Sequence, residues 1–330
     1  MNPIVEMKDL RVRFKGERTV HALNGVDITL REGEVLGLLG ESGSGKSVTL
    51  RALLRMLPPK RTEFSGTIRV AGKDVLSMDD AGLEKMRGGV VSMIFQEPML
   101  ALDPVYTIGD QIAETVVRHK GVSWAEGRQR ALEMLEGVRI PSAKRRLENY
   151  PHEMSGGMRQ RAMIALALSC KPKVLLADEP TTALDATVQI QILLLLRELQ
   201  REMGMAVIFV THDIGVAVEI SDRIAVMYGG RIVETGMLRD VVRAPAHPYT
   251  RGLLSSTVIG GVRGTKLDTI PGAPPRLDRL PEGCTFAPRC KLVEPVCREG
   301  EIAEAMLGPG RGVRCVKAGA PAMAAPNSPG

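Results

Sequence analysis

The chain has 330 residues, 44% of them hydrophobic and 25% charged, with a formal net charge of +6; this is ordinary for a globular protein of one large domain with an appendage, or of two domains. One Trp, five Phe and four Tyr offer little for a base-stacking platform, and Lys and Arg are spread among Asp and Glu, so composition argues against a nucleic-acid partner. The longest aliphatic runs, Ile190 to Leu196 and Ala162 to Cys170, fall well short of the ~20 apolar residues that span a bilayer.

The start, MNPIVEMKDL, lacks a basic stretch followed by an apolar core, so no secretory signal is expected and the thiols are expected to stay reduced. Along the chain, Met7 to Phe14, Ala22 to Leu30 and Glu34 to Leu39 read as strands, and a Gly-rich turn leads into a helix from Lys46 to Leu57. Thr67 to Val70 and Val90 to Phe95 read as further strands. Helical patterns then dominate: Ile108 to His119, Trp124 to Val138 and Gly156 to Cys170. Apolar strands return at Val174 to Ala177 and Ala206 to Val210, with a helix at Val188 to Met203 between them. Strand and helix in alternation predict a parallel α/β sheet interrupted by a helical insertion. Beyond Pro245 the composition turns to Pro and Gly, and 316–330 is expected to be disordered.

Gly40 to Ser47 reads GESGSGKS, a full G-x-x-x-x-G-K-[ST] placed between a buried strand and a helix. Its residues, Gly40, Glu41, Ser42, Gly43, Ser44, Gly45, Lys46 and Ser47, suit a nucleoside triphosphate. Glycines let backbone N–H groups turn toward phosphate, the helix N-terminus adds positive potential, Lys46 reaches the β and γ oxygens, and Ser47 suits Mg²⁺. A second element must help hold the metal and activate water. VLLADE, Val174 to Glu179, supplies Asp178 for the metal and Glu179 as a proton acceptor. Gln96 and His212 close two other strands, and Asp185 follows in TTALD; taken singly, each of these three is ordinary at its position.

MSGGMRQR, Met154 to Arg161, completes a set. GESGSGKS, Gln96, SGGMRQR, VLLADE, TALD and His212 stand in the order of the ATP-binding-cassette (ABC) ATPases, and the chain resembles that family over roughly its first 240 residues. The resemblance implies an ABC-type P-loop ATPase core (residues 1–245) with an inserted helical subdomain at about 97–167, followed by a small Cys-containing C-terminal extension at 246–315. It gives Gln96 a place at Mg²⁺ and the attacking water, His212 at the γ-phosphate and Phe14 against adenine. Ser155, Gly156 and Gly157, with Asp185, would contact ATP held by a second cassette, so a head-to-tail partner is implied, a paralogue being favoured over an identical chain. Met158 stands where many members have Gln, which leaves the phosphate contact to Ser155 and the two glycines.

QEPMLALDPVYTIGDQI, Gln96 to Ile112, and AHPYTRGLL, Ala246 to Leu254, are similar to the oligopeptide and dipeptide importer branch, although Ala101 and Asp103 replace its usual Ser and Asn. This closer resemblance implies an ATPase at the cytoplasmic face of the membrane, working with two permease subunits and an extracytoplasmic binding protein. Nickel, glutathione and sugar importers share these motifs, and a cassette acting on nucleic acid or ribosomes is the remaining alternative.

Four of the five cysteines, Cys284, Cys290, Cys297 and Cys315, lie near the C-terminus. In a reduced compartment they suit zinc or an iron–sulfur cluster better than disulfides, and the missing C-x₂-C spacing tilts the choice toward iron–sulfur. GCTFAPRC, Gly283 to Cys290, resembles the run in members of the importer branch that are associated with such a cluster. Reduced, unligated thiols are the other reading.

Overall fold

The computed structural model describes residues 3–182, 184–256 and 269–318. Twelve strands among them form two sheets. The N-terminal sheet pairs β1 (Val5–Phe14), β2 (Val20–Leu30), β4 (Thr62–Val70) and β5 (Lys73–Asp74) in the order β2-β1-β4-β5, all antiparallel. The sequence pattern located the first two strands but placed them in no particular sheet. It also found only the end of β4, because Glu63, Ser65 and Gly66 break the apolar run before Ile68 and Val70 turn inward.

The main sheet has eight strands in the order β11-β12-β10-β9-β3-β8-β7-β6. Its parallel part holds β3 (Val35–Leu39), β6 (Val91–Ile94), β7 (Val174–Asp178), β8 (Ala206–Thr211) and β9 (Arg223–Tyr228). Every residue of β3, β7 and β8 is buried. Continuous apolar runs are what a sheet covered on both faces requires. One face is covered by the antiparallel sheet and by α1 (Lys46–Leu53), whose core includes Leu10, Leu23, Leu38, Leu50 and Ile208. The other carries α3 (Ile108–Lys120), α4 (Trp124–Gly137), α6 (Gly156–Leu168) and α7 (Ala186–Met203), packed around Ile112, Leu135, Ile164, Leu196 and Phe209.

Local chemistry sets the helix ends. Helix α1 stops short of the expected Leu57 because Arg55 takes φ 48°, left-handed, ahead of Pro58. Thr107 caps α3 and Gly121, at φ 66°, ends it; two residues later Ser123 and Glu126 form a reciprocal capping box that starts α4. Each such cap contributes about 1 kcal/mol. The short helices α2 (Asp80–Met86) and α5 (Ala143–Arg146) fill out the two halves, and α8 (Ile214–Ile220) follows β8.

The C-terminal region is not a detached appendage. After β10 (Arg231–Met237) and α9 (Leu238–Arg243), α10 (Pro248–Ser255) packs Tyr249 against Tyr228 and Phe286 in a third core with Leu39, Ile224 and Val233. Two late strands, β11 (Ala305–Gly308) and β12 (Arg311–Val313), then extend the main sheet from β10. Fully buried Glu234 in β10 anchors this region, accepting from the Ala246 and His247 N–H groups at 2.8 Å each. Of the tail expected to be disordered, 319–330 lies outside the described residues, whereas Lys317 pairs with Glu294 at 2.6 Å.

Candidate nucleotide site

The loop 40–45 leaves the C-terminal end of β3 and delivers the chain into α1. Gly43 and Gly45 take φ 77° and 109°, conformations that favour glycine. The start of α1 has Gly45 as its cap residue, no side-chain cap and no acid in its first turn. Its first N–H groups are therefore free of side-chain acceptors, which is what an anion-binding helix end needs. Lys46 is buried, and its ammonium donates to the Gly40 and Glu41 carbonyl oxygens at 2.7 and 3.1 Å. Burial pushes Lys46 below the ordinary lysine range, against the pull of Glu179 and Asp178. A polyanion entering here would relieve that penalty.

Strand β7 ends beside this loop. Buried Asp178 accepts from the Ser47 hydroxyl at 2.8 Å; burial lifts its carboxyl above the usual range, and the Ser47 hydrogen bond opposes that. The next residue, Glu179, has φ 46°. A non-glycine residue in the left-handed region costs on the order of 1–3 kcal/mol, and such strain collects at functional sites. The turn sets the Glu179 carboxylate 3.8 Å from the Lys46 ammonium, 3.1 Å from His212 Nδ1 and 3.0 Å from the Thr182 hydroxyl.

These groups face one open cavity of about 850 Å³, lined on the loop side by Glu41, Ser42, Gly43, Gly45, Lys46 and Ser47. Phe14, Gln96, Glu179 and His212 line the same space. Gly40, Ser44 and Asp178 stand behind the lining, with the Ser44 hydroxyl buried and unpartnered. Among the described residues no group of three or more His, Cys, Asp or Glu could hold a metal ion. That is no obstacle to Mg²⁺ at a phosphate site, which typically uses one or two protein groups and takes its other ligands from phosphate and water.

Ser155, Gly156, Gly157 and Asp185 do not line this cavity. Ser155 caps α6 by accepting from the Met158 N–H at 3.3 Å, and Asp185 caps α7 by accepting from Val188 at 3.0 Å. Gly157 and Val188 are neighbours, so the two helix starts lie side by side.

Sequence reading missed the far wall of the cavity, formed by Leu253, Ser256, Thr269, Ile270 and Leu277. It also missed Arg289, whose guanidinium grips the Glu41 carboxylate at 2.6 and 3.1 Å. Neither has a spacing signal, since each acts across the length of the chain.

All four C-terminal cysteines wall a second, smaller cavity with His247, Phe286 and Leu292, and all are free thiols. Burial pushes Cys284, Cys290 and Cys315 up, and neighbouring cysteines add to this. Among the described residues the four do not form a group suited to holding a metal ion, so the geometry lends no support to either the iron–sulfur cluster or the zinc expected there.

The family described as ABC transporter matches residues 23–182, and the oligopeptide/dipeptide transporter C-terminal region matches 233–297. The oligopeptide transport ATP-binding protein OppD of Salmonella typhimurium is 47% identical over 317 residues, covering 96% of this chain and 94% of that protein. Its Escherichia coli namesake is 46% identical over 315 residues, covering 95% and 93%. Among solved structures, the ATP-binding cassette MJ0796, as a post-hydrolysis dimer with ADP and Pi, aligns with a TM-score of 0.64 at 33% identity over 71% of this chain and 99% of that one. The chain therefore belongs to the ATP-hydrolysing ABC transporter cassettes, in the group that carries the oligopeptide/dipeptide transporter C-terminal region.

Proposed function

We propose that the chain is the ATPase subunit of an importer of di- and oligopeptides. The observation that carries the reading is the convergence of Lys46, Ser47, Gln96, Glu179 and His212, drawn from separate segments, on one cavity. Phosphoryl transfer to water needs chiefly positioning and charge stabilisation. Lys46 and the loop N–H groups neutralise phosphate, and Phe14 packs on the base. Ser47, with Asp178 and Gln96, holds Mg²⁺, which supplies charge neutralisation at the phosphates when bound. Glu179 accepts the proton of the attacking water, and His212, hydrogen-bonded to Glu179, aligns it with the γ-phosphate.

Ser155, Gly156, Gly157 and Asp185 complete the site of a second cassette, a paralogue or an identical chain, in a head-to-tail dimer. Their position outside this chain's own cavity supports that division. ATP then favours the closed dimer and hydrolysis releases it, a shift driven by differential affinity. No described helix is long and apolar enough to cross a membrane, so transport falls to separate permease subunits and a substrate-binding protein. The segment after Gln96 exposes Met99, Leu100, Val105 and Tyr106, an apolar run that supports docking of the helical subdomain (97–167) against permeases at the cytoplasmic face. In this reading the cassette comprises 1–245 and the importer-type extension 246–315.

The extension's four thiols, all on one cavity, are proposed ligands of an iron–sulfur cluster. Such a cluster would be held by four cysteine thiolates, the number this cavity offers. Anaerobic purification followed by iron and labile-sulfide assay tests it; colourless, iron-free protein refutes it.

The transport reading is tested by co-purification from detergent-solubilised membranes and by ATP turnover of the reconstituted complex. Peptide with its binding protein should stimulate turnover. Stimulation by nickel, glutathione or sugar in place of peptide would reassign the cargo.

A further inference from the structure

We infer that Arg289, lying between Cys284 and Cys290, is a positioning residue for the nucleotide loop, so that the cysteine-bearing region helps set ATP affinity. The inference rests on the reading of the large cavity as the ATP site.

The Arg289 side chain is only 5% exposed. A guanidinium has five N–H donors in a fixed fork, and here all five are used. Nη1 donates to Glu41 Oε2 at 2.6 Å and to the Tyr228 hydroxyl at 3.2 Å. Nη2 donates to Glu41 Oε1 at 3.1 Å and to the Ile270 carbonyl at 3.2 Å. Nε donates to the Pro271 carbonyl at 2.8 Å. One side chain thus joins the cysteine segment, the main sheet, the far wall of the cavity and the phosphate loop.

Glu41 is held at every polar atom. Besides the carboxylate, its N–H donates to the Tyr249 hydroxyl at 2.8 Å, and its carbonyl accepts from Lys46 and from the Ser44 N–H, the latter at 3.2 Å. Three of these five contacts come from Arg289 and Tyr249, in the C-terminal region. The other two come from within the loop and helix start: the Ser44 N–H, and Lys46, whose ammonium is the group that must turn to phosphate when ATP binds. With Lys46 engaged elsewhere, Arg289 on the carboxylate and Tyr249 on the N–H are the side chains from outside the loop that still hold Glu41, where the loop begins. Arg289 also neutralises a carboxylate beside the phosphates. Left unpaired, Glu41 would repel ATP.

Equilibrium binding of a fluorescent, slowly hydrolysed ATP analogue with Mg²⁺ to the purified full-length chain tests the inference. Arg289→Gln should weaken binding by at least about tenfold, because truncating one partner of a buried charge pair leaves the other uncompensated. Adding Glu41→Gln to that variant removes the stray carboxylate and should recover part of the loss, which a general folding defect would not allow. Tyr249→Phe deletes only the hydroxyl that receives the Glu41 N–H and should weaken binding about threefold. In the assembled transporter the Arg289→Gln loss should fall on KM for ATP more than on kcat. Affinity within twofold of wild type in both single variants overturns the inference; if Arg289→Gln does not fold, Tyr249→Phe decides alone. A double variant no better than Arg289→Gln, or a loss confined to kcat, also overturns it. Wild-type protein that binds no analogue is a different result, and refutes the ATP-site reading itself.

Discussion

Replacing Glu179 by Gln separates proton acceptance from nucleotide binding. The amide is nearly the same size and can still accept from the Thr182 hydroxyl now 3.0 Å away, so packing changes little. What disappears is basicity and one negative charge. A positioned general base contributes roughly 10²–10⁴ in rate, or about 2.7–5.5 kcal/mol of barrier at 1.36 kcal/mol per decade. The lost charge acts in the other direction on binding. The carboxylate sits 3.8 Å from Lys46, where a γ-phosphate would approach, so the neutral variant should hold ATP at least as tightly as wild type. Phosphate release by the reconstituted transporter should therefore fall at least about 100-fold, while analogue affinity is kept or improved. Turnover within about threefold of wild type refutes the assignment of Glu179 as base. A parallel loss of binding and turnover refutes the claim that its role is confined to the chemical step.

Packing around Gly40 and His247 sets two more outcomes. A Cβ on Gly40 would collide with the Met227 backbone carbonyl oxygen and press on the Ser44 hydroxyl at 2.8 Å. Because Met227 lies within β9, no side chain can swing aside, and Gly40→Ala should lower both thermal stability and analogue affinity; wild-type values for both would show that the loop relaxes freely. His247 is fully buried, and desolvation pulls its imidazole down to about 3. The unfolded chain protonates it near pH 6.5. Below that pH the unfolded state binds the extra proton, so this group's contribution is present above about pH 6.5. It is lost as pH falls toward 3, at up to about 1.4 kcal/mol per unit. Denaturant titrations between pH 7 and 4.5 should show the decline, and His247→Asn, which retains a helix-capping side chain, should reduce the slope by about one proton.

The candidate nucleotide site was legible in the chain wherever the proposed roles depend on residue type at close spacing. A loop of Gly40, Gly43 and Gly45 before Lys46, an acidic pair at the end of an apolar strand, and a small-residue helix start at Ser155 each act over a few residues. Buried strands β3, β7 and β8 were legible for the same reason, since a sheet covered on both faces requires uninterrupted apolar runs. The partition into two sheets was not, because alternation identifies a strand but not its neighbours. Nor was the integration of the C-terminal region, where Pro- and Gly-rich sequence has no period to read and yet supplies a wall of the ATP cavity and two strands of the main sheet. The Arg289–Glu41 pair joins residues 248 positions apart. By itself the sequence determined which groups are candidates to meet a phosphate. Tertiary structure alone decided what holds them there, because a long-range contact is selected by the packing of the whole chain and leaves no local pattern.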